Sequence, residues 1–169
     1  MNEGSLKMVV ADLMTRTPVS VTPYNSLAEA AQLMWEHDCG SLPVLERDST
    51  RVIGMITDRD ICMACWSRNR APGDGFVSQA MSQHLVYCHP NESVERAEII
   101  MHSNQIRRLP VVDTDERLVG ILSLADIARA TEAAPKLSSV RALSTDNLTS
   151  TIAGICRARP TTTELAAIP

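Results

Sequence analysis

Gly54-Met55-Ile56-Thr57-Asp58-Arg59-Asp60-Ile61 returns later in the chain as Gly120-Ile121-Leu122-Ser123-Leu124-Ala125-Asp126-Ile127. In both stretches an apolar run of strand length ends on a hydroxyl residue, and an Asp follows three positions on. That is the layout of a strand running into a helix whose first turn is closed by its own side chains. Working outward, Met14–Val44 aligns with Met81–Val111 at an offset of 67 without a gap, with nine identical pairs in 31 positions. Chance at this composition gives roughly two. After a one-residue deletion the match resumes at an offset of 66, through the quoted stretches. The chain carries one unit twice.

Each unit reads as βαββα. A short extended piece (Val19–Val21; Val86–Cys88) meets Pro23 or Pro90, and Ser26 or Ser93 then caps a helix. In the first copy Ser26 and Glu29 form a capping box. Leu27, Ala30, Ala31, Met34 and Trp35 recur at helical spacing, as do Val94, Ala97, Ile100 and Met101. Two β-rich runs follow in each copy: Leu42–Leu45 with Val52–Ile56, and Leu109–Val112 with Leu118–Leu122. A second helix starts near Asp58 or Leu124. The expected fold class is α+β, with two pseudo-symmetric repeats packed sheet beside sheet. The boundaries are 9–66 for the first repeat, 67–75 for a linker, 76–131 for the second repeat and 132–169 for a C-terminal tail. The tail matches neither copy and is either partly helical, within Ser138–Cys156, or disordered. One copy, at about 60 residues, would be marginal alone, so the two share their burial.

Composition bounds the function. Of 169 residues 44% are hydrophobic but only 3% aromatic, so the core is aliphatic. No apolar run approaches the ~20 residues that span a bilayer, and Met1–Leu6 lacks the layout of a signal peptide; a soluble, cytoplasmic protein is expected, with no membrane partner. A net charge of −4 argues against a nucleic-acid partner but not against a small anion held by a few arginines. Five cysteines form no closed disulfide framework. Cys62-Met63-Ala64-Cys65 is a CxxC, but it falls inside the second helix of copy one. Small core residues are the better reading than redox or zinc chemistry, and no metal site is expected. His37 and His102 fall at or beyond the ends of the long helices, which points to the surface. No nucleophile–base pair, P-loop or dinucleotide-binding glycine pattern is present, so no enzyme is expected.

The Gly-hydrophobic-x-Thr/Ser-x-x-Asp signature follows Ser41-Leu42-Pro43-Val44 in one copy and Arg107-Arg108-Leu109-Pro110-Val111 in the other. In tandem, over about Val9 to Thr131, it resembles a pair of CBS (cystathionine β-synthase) domains, the Bateman module, as found in short bacterial proteins made of nothing else. The resemblance implies a regulatory module that binds adenosine nucleotides, AMP or ATP, in clefts between the copies, and needs no cofactor. It implies ribose contacts from Asp60 and Asp126, and phosphate or ribose contacts from Thr57 and Ser123. Ile106-Arg107-Arg108 resembles the phosphate-holding segment of the γ subunit of AMP-activated kinase. Arg107 and Arg108 are therefore the first candidates for phosphate, and Arg59 the next. The equivalent segment of copy one, Cys39-Gly40-Ser41, has no charge. S-Adenosylmethionine and NAD remain open as ligands, and the regulated protein is unknown. The resemblance also implies a homodimer, with Met34, Trp35 and Trp66 as candidate anchors. The alternatives are a structural dimerisation module with empty clefts, or a CxxC redox or zinc protein.

Overall fold

A computed structural model describes residues 7–133 and 144–157; the opening segment Met1–Leu6 and part of the tail lie outside them. The elements in chain order are α1 (Val10–Leu13), β1 (Thr15–Arg16), α2 (Leu27–Glu36), β2 (Ser41–Leu45), β3 (Val52–Thr57), α3 (Asp58–Arg68), α4 (Val94–Asn104), β4 (Arg108–Val112), β5 (Leu118–Ser123), α5 (Leu124–Ala133) and α6 (Thr145–Ile155). Two 3-10 turns, Pro72–Asp74 and Val77–Gln79, lie between α3 and α4.

The two copies fold alike because the same local signals recur. Ser26 Oγ accepts from Glu29 N at 3.1 Å while Glu29 Oε2 accepts from Ser26 N at 2.7 Å, closing the capping box at the start of α2. In copy two Ser93 Oγ accepts from Arg96 N at 3.2 Å, and Arg96 offers no carboxylate in return. Each long helix hands over through a left-handed residue at the equivalent position, Asp38 (φ 47°) and Gln105 (φ 52°). Short polar side chains tolerate that conformation best, so Gln105 is the costlier of the two.

Strands β2 and β3 pair antiparallel with Ser41 opposite Thr57 and Val44 opposite Gly54. Strands β4 and β5 repeat this with Arg108 opposite Ser123 and Val111 opposite Gly120, and both hairpins carry a register shift at the same place. The extended pieces join as parallel neighbours, Val21 beside Val44 and Cys88 beside Val111. Each copy has its own aliphatic core: Leu27, Ala30, Leu42, Val44 and Ile56 in one, Val94, Ala97, Leu109, Val111 and Leu122 in the other. The sheets meet edge to edge, where Val52 N donates to Glu116 O and Leu118 N donates to Thr50 O. An Arg51–Glu116 ion pair of 2.6 Å lies over this seam.

The copies also exchange their leading segments. Strand β1, in the leading segment of copy one, pairs with β5 of copy two, and Val10 lies in the core of copy two. In mirror fashion Ser82 pairs with Met55 of β3, and Val77 lies in the core of copy one. Two glycines make room for these crossings. A Cβ on Gly54 would run into the Ser82 carbonyl oxygen, and one on Gly120 would stand 2.6 Å from Met14 Sδ and 3.0 Å from Thr15 O.

Several expectations change. Met34 is 5% exposed and belongs to the core, whereas its neighbour Trp35 is 88% exposed. Adjacent helical residues point ~100° apart, so both could not share one fate. Cys62 is exposed rather than buried; Cys65 and Ala64, on the inward side of α3, take up the packing. His37 is exposed as expected, but His102 is half-buried, because α6 packs along α4 and covers it. That helix falls within the stretch left open for one, and its predicted beginning, Ser138–Leu143, lies outside the described residues.

Where α6 packs on α4, His102 stands against Gly154, and Gln105 donates to Gly154 O and Arg157 O. Glu95, Glu98, His102 and Gln105 recur at spacings of three and four along one face of α4. Glu98 is 4% exposed, and burial, with the Glu95 carboxylate adding to it, pushes its carboxyl up to about 7. Below its ordinary value of 4.5 both folded and unfolded chains hold this proton. Between 4.5 and about 7 only the folded chain does, so stability falls as pH rises through that window and the loss is complete above it. Thermal melts of Glu98→Gln should therefore show a higher Tm than wild type at pH 8 and a flatter dependence between pH 5 and 8. Parallel pH profiles for the two proteins would remove this assignment.

Candidate functional site

A cleft of about 1250 Å³ opens between the copies. Copy one supplies Thr57, Asp58, Arg59 and Asp60 at the β3–α3 junction, and Gly40 and Ser41 at the start of β2. Copy two supplies Arg107 and Arg108, and the crossing segment adds Ser82, His84 and Val86. Trp35 of α2 and Ile155 of α6 stand at its borders.

The β3–α3 junction is held by its own side chains. Thr57 Oγ1 accepts from Asp60 N at 3.2 Å, and Asp60 Oδ2 accepts from Thr57 N at 2.9 Å and Thr57 Oγ1 at 2.7 Å. This reciprocal cap fixes Asp60 in one orientation. Among the described residues its second oxygen, Oδ1, has no partner. Copy two repeats the cap, with Asp126 Oδ2 accepting from Ser123 N at 2.8 Å and Ser123 Oγ at 2.6 Å. There, however, Asp126 Oδ1 is bound by Arg129, whose equivalent in copy one is Met63. The two signature carboxylates are thus in different states, a difference that follows from one residue in the following helical turn.

Five of the seven candidate residues come together in this cleft: Thr57, Arg59, Asp60, Arg107 and Arg108. Ser123 and Asp126 are not among its lining residues. Arg108, half-buried, reaches copy one: its Nη1 lies 3.8 Å from where a Cβ on Gly40 would stand, and Asp58 Oδ2 lies 3.0 Å from the same point. Gly40 therefore keeps the passage between the copies open. Among the described residues none of Arg59, Arg107 and Arg108 forms an ion pair. The first three N–H groups of α3 are already taken, by Gly40 O, Asp58 Oδ1 and Thr57 Oγ1, so it is the three guanidinium groups that make this surface suited to an anion with several oxygens.

Ser41 was not singled out as a ligand residue. It is 5% exposed, lines the cleft, and its Oγ finds no hydrogen-bond partner among the described residues. Leaving a buried hydroxyl unpaired costs about 1–3 kcal/mol, which a bound polar group would recover. Its only signal in the sequence was its place in the segment that resembles a cleft lining. Among the described residues no three His, Cys, Asp or Glu side chains gather as a metal site, and no helix is long and apolar enough to cross a membrane.

The CBS-domain family model matches residues 10–67 and 77–133. The CBS domain-containing protein YhcV of Bacillus subtilis is 44% identical over 119 residues, 70% of this chain and 82% of that protein. Among solved structures, Hypoxic Response Protein I with two coordinated zinc ions superposes with a TM-score of 0.66 at 35% identity, covering 72% of this chain and 98% of that one. The CBS domain pair of protein MJ0100, in complex with 5′-methylthioadenosine and S-adenosyl-L-methionine, gives 0.68 at 27% identity over 75% of this chain and 98% of that one. CBSX2 in complex with AMP gives 0.67 at 26% identity over 76% and 99%.

Proposed function

Because the chain belongs to the CBS-domain family, with two such domains in tandem, we propose that it is a regulatory module that binds an adenosine nucleotide, AMP or ATP, in the cleft between them. Occupancy is passed on through a partner protein or through its own dimer; the module carries out no reaction and works in the cytoplasm. The carrying observation is the convergence in one cleft of a fixed carboxylate with an open oxygen, Asp60, and three guanidinium groups without ion-pair partners. Asp60 accepts from the ribose hydroxyls, and Arg107 and Arg108, with Arg59 and Thr57, hold phosphate. Binding of AMP by CBSX2, and of methylthioadenosine and S-adenosylmethionine by the MJ0100 pair, supports an adenosine ligand. The orphaned Ser41 hydroxyl favours an occupied cleft over an empty dimerisation module. Asp126, already bound by Arg129, makes the other copy's signature the weaker ribose acceptor.

A thermal-shift series of AMP, ADP, ATP, S-adenosylmethionine, methylthioadenosine and NAD tests the reading. A ligand that binds only the folded chain raises stability by mass action, about 2.7 kcal/mol at a hundredfold excess over Kd. AMP or ATP should give the largest shift; no shift with any of the six would leave the dimerisation module.

Self-association belongs to the same proposal. Trp35 and Trp66, 88% and 76% exposed on the neighbouring helices α2 and α3, with Met63 at 46%, present large apolar surface to solvent. Surfaces of this kind are where partners dock. Light scattering should give twice the 18.5 kDa chain mass, falling toward the single mass in Trp35→Ala/Trp66→Ala. A wild-type monomer at micromolar concentration would contradict it.

A further inference from the structure

Helix α6 lies beyond the family match, which ends at residue 133, yet Ile155 near its end lines the cleft. We infer that α6 is a strap on the nucleotide cleft, its docking on α4 coupled to ligand occupancy through Gln105. The inference rests on the nucleotide reading and adds the element through which occupancy is regulated and reported.

Gln105 serves two structures at once. Its side chain Nε2 donates to Arg157 O at 3.1 Å and to Gly154 O at 3.5 Å, fastening the C-terminal end of α6. Its left-handed backbone turns the chain out of α4 directly into Ile106-Arg107-Arg108. A residue that anchors the helix with its side chain also sets the direction of the phosphate-holding segment with its main chain. One turn earlier, Gly154 lies so close to the His102 ring that a Cβ could not be accommodated without displacement. Thr151, a further turn back, is 4% exposed. Ile155 then contributes to the copy-two core and to the cleft wall together. The equivalent residues of copy one, Trp35 for His102 and Asp38 for Gln105, are exposed, so this fastening is built on one side of the module.

Coupling between sites is reciprocal: whatever docked α6 adds to ligand affinity, the ligand returns to the docking of α6. Docked α6 holds Gln105 and supplies Ile155, so it favours the bound cleft.

The test uses the full chain with AMP as probe. Hydrogen exchange at residues 145–155 should slow when AMP is added. Gly154→Ala, which levers α6 from His102, should bind AMP about fivefold or more weakly by calorimetry. Gln105→Asn should do the same: Asn accepts the left-handed backbone but is too short to hold Arg157 O. Should Gly154→Ala fail to fold, the wild-type exchange and Gln105→Asn still decide. Wild type that binds AMP with unchanged exchange in α6, and with equal affinity in the variants, would overturn the strap and leave the nucleotide reading standing. Wild type that binds neither AMP nor ATP would overturn both.

Discussion

Arg108→Ala should weaken AMP by about tenfold to a hundredfold while changing adenosine affinity little. A charge-assisted hydrogen bond is worth roughly 1.5–3 kcal/mol, and a neutral alanine returns none of it. The split between the two ligands is what identifies phosphate as the partner, because adenosine keeps the base and ribose and lacks only the anion. Arg108 should show the larger effect of the two adjacent arginines. It is half-buried and spans from copy two to the Gly40 edge of copy one, whereas Arg107 is exposed and its field is screened by water. Raising the salt concentration should narrow the gap between wild type and Arg107→Ala more than that between wild type and Arg108→Ala. Calorimetry with AMP and adenosine on the two variants checks both points. Equal losses for AMP and adenosine would mean that the arginines shape the cleft rather than hold the phosphate.

Gly54→Ala should cost more stability than the same change at its repeat equivalent, Gly120. The added Cβ meets the Ser82 carbonyl oxygen, a main-chain atom that itself accepts from Met55 N at 3.2 Å and cannot swing aside. Overpacking of this kind costs about 1–3 kcal/mol, and more where the backbone must move. Gly120→Ala meets chiefly the flexible Met14 side chain, with Thr15 O at the edge of contact, and should cost less. Denaturant unfolding of the two variants gives the comparison directly. Gly54→Ala should also weaken nucleotide binding in the folded fraction, since Ser82, pushed from Met55, lines the cleft. A Gly54→Ala protein as stable as wild type would show that the crossing segment does not lie against β3.

Those two glycines mark the line between what was legible in the sequence and what was not. The register of the repeat predicted both hairpins, and Ser-x-x-Glu and Thr-x-x-Asp predicted two helix starts, because capping is local chemistry within four residues. The exchange of leading segments is not local. Thr15 and Ser82 each pair with the strand of the other copy, and nothing near either residue says so. A glycine inside an apolar strand does signal close approach by another backbone, but it does not name which backbone. The site divides in the same way. The resemblance implied Thr57, Arg59, Asp60, Arg107 and Arg108 as cleft residues, from the signature and from the segment before the Leu-Pro strand, and these five do line one cleft. The engagement of Asp126 by Arg129 and the solitary hydroxyl of Ser41 depend on side-chain neighbours that only the assembled structure supplies. Likewise, the burial of His102 follows from α6, a helix that matches neither repeat.

If the open oxygen of Asp60 holds a ribose, titration of AMP into wild type, Asp60→Asn and Asp126→Asn by calorimetry should tell the two signature carboxylates apart. Asn preserves the size of the residue and much of the helix cap, but it removes the charged acceptor. Asp60→Asn should therefore lose about tenfold to a hundredfold in AMP affinity, whereas Asp126→Asn, already committed to Arg129, should lose less. Wild-type affinity for AMP in Asp60→Asn would contradict the account and return the Thr57–Asp60 pair to a purely structural cap.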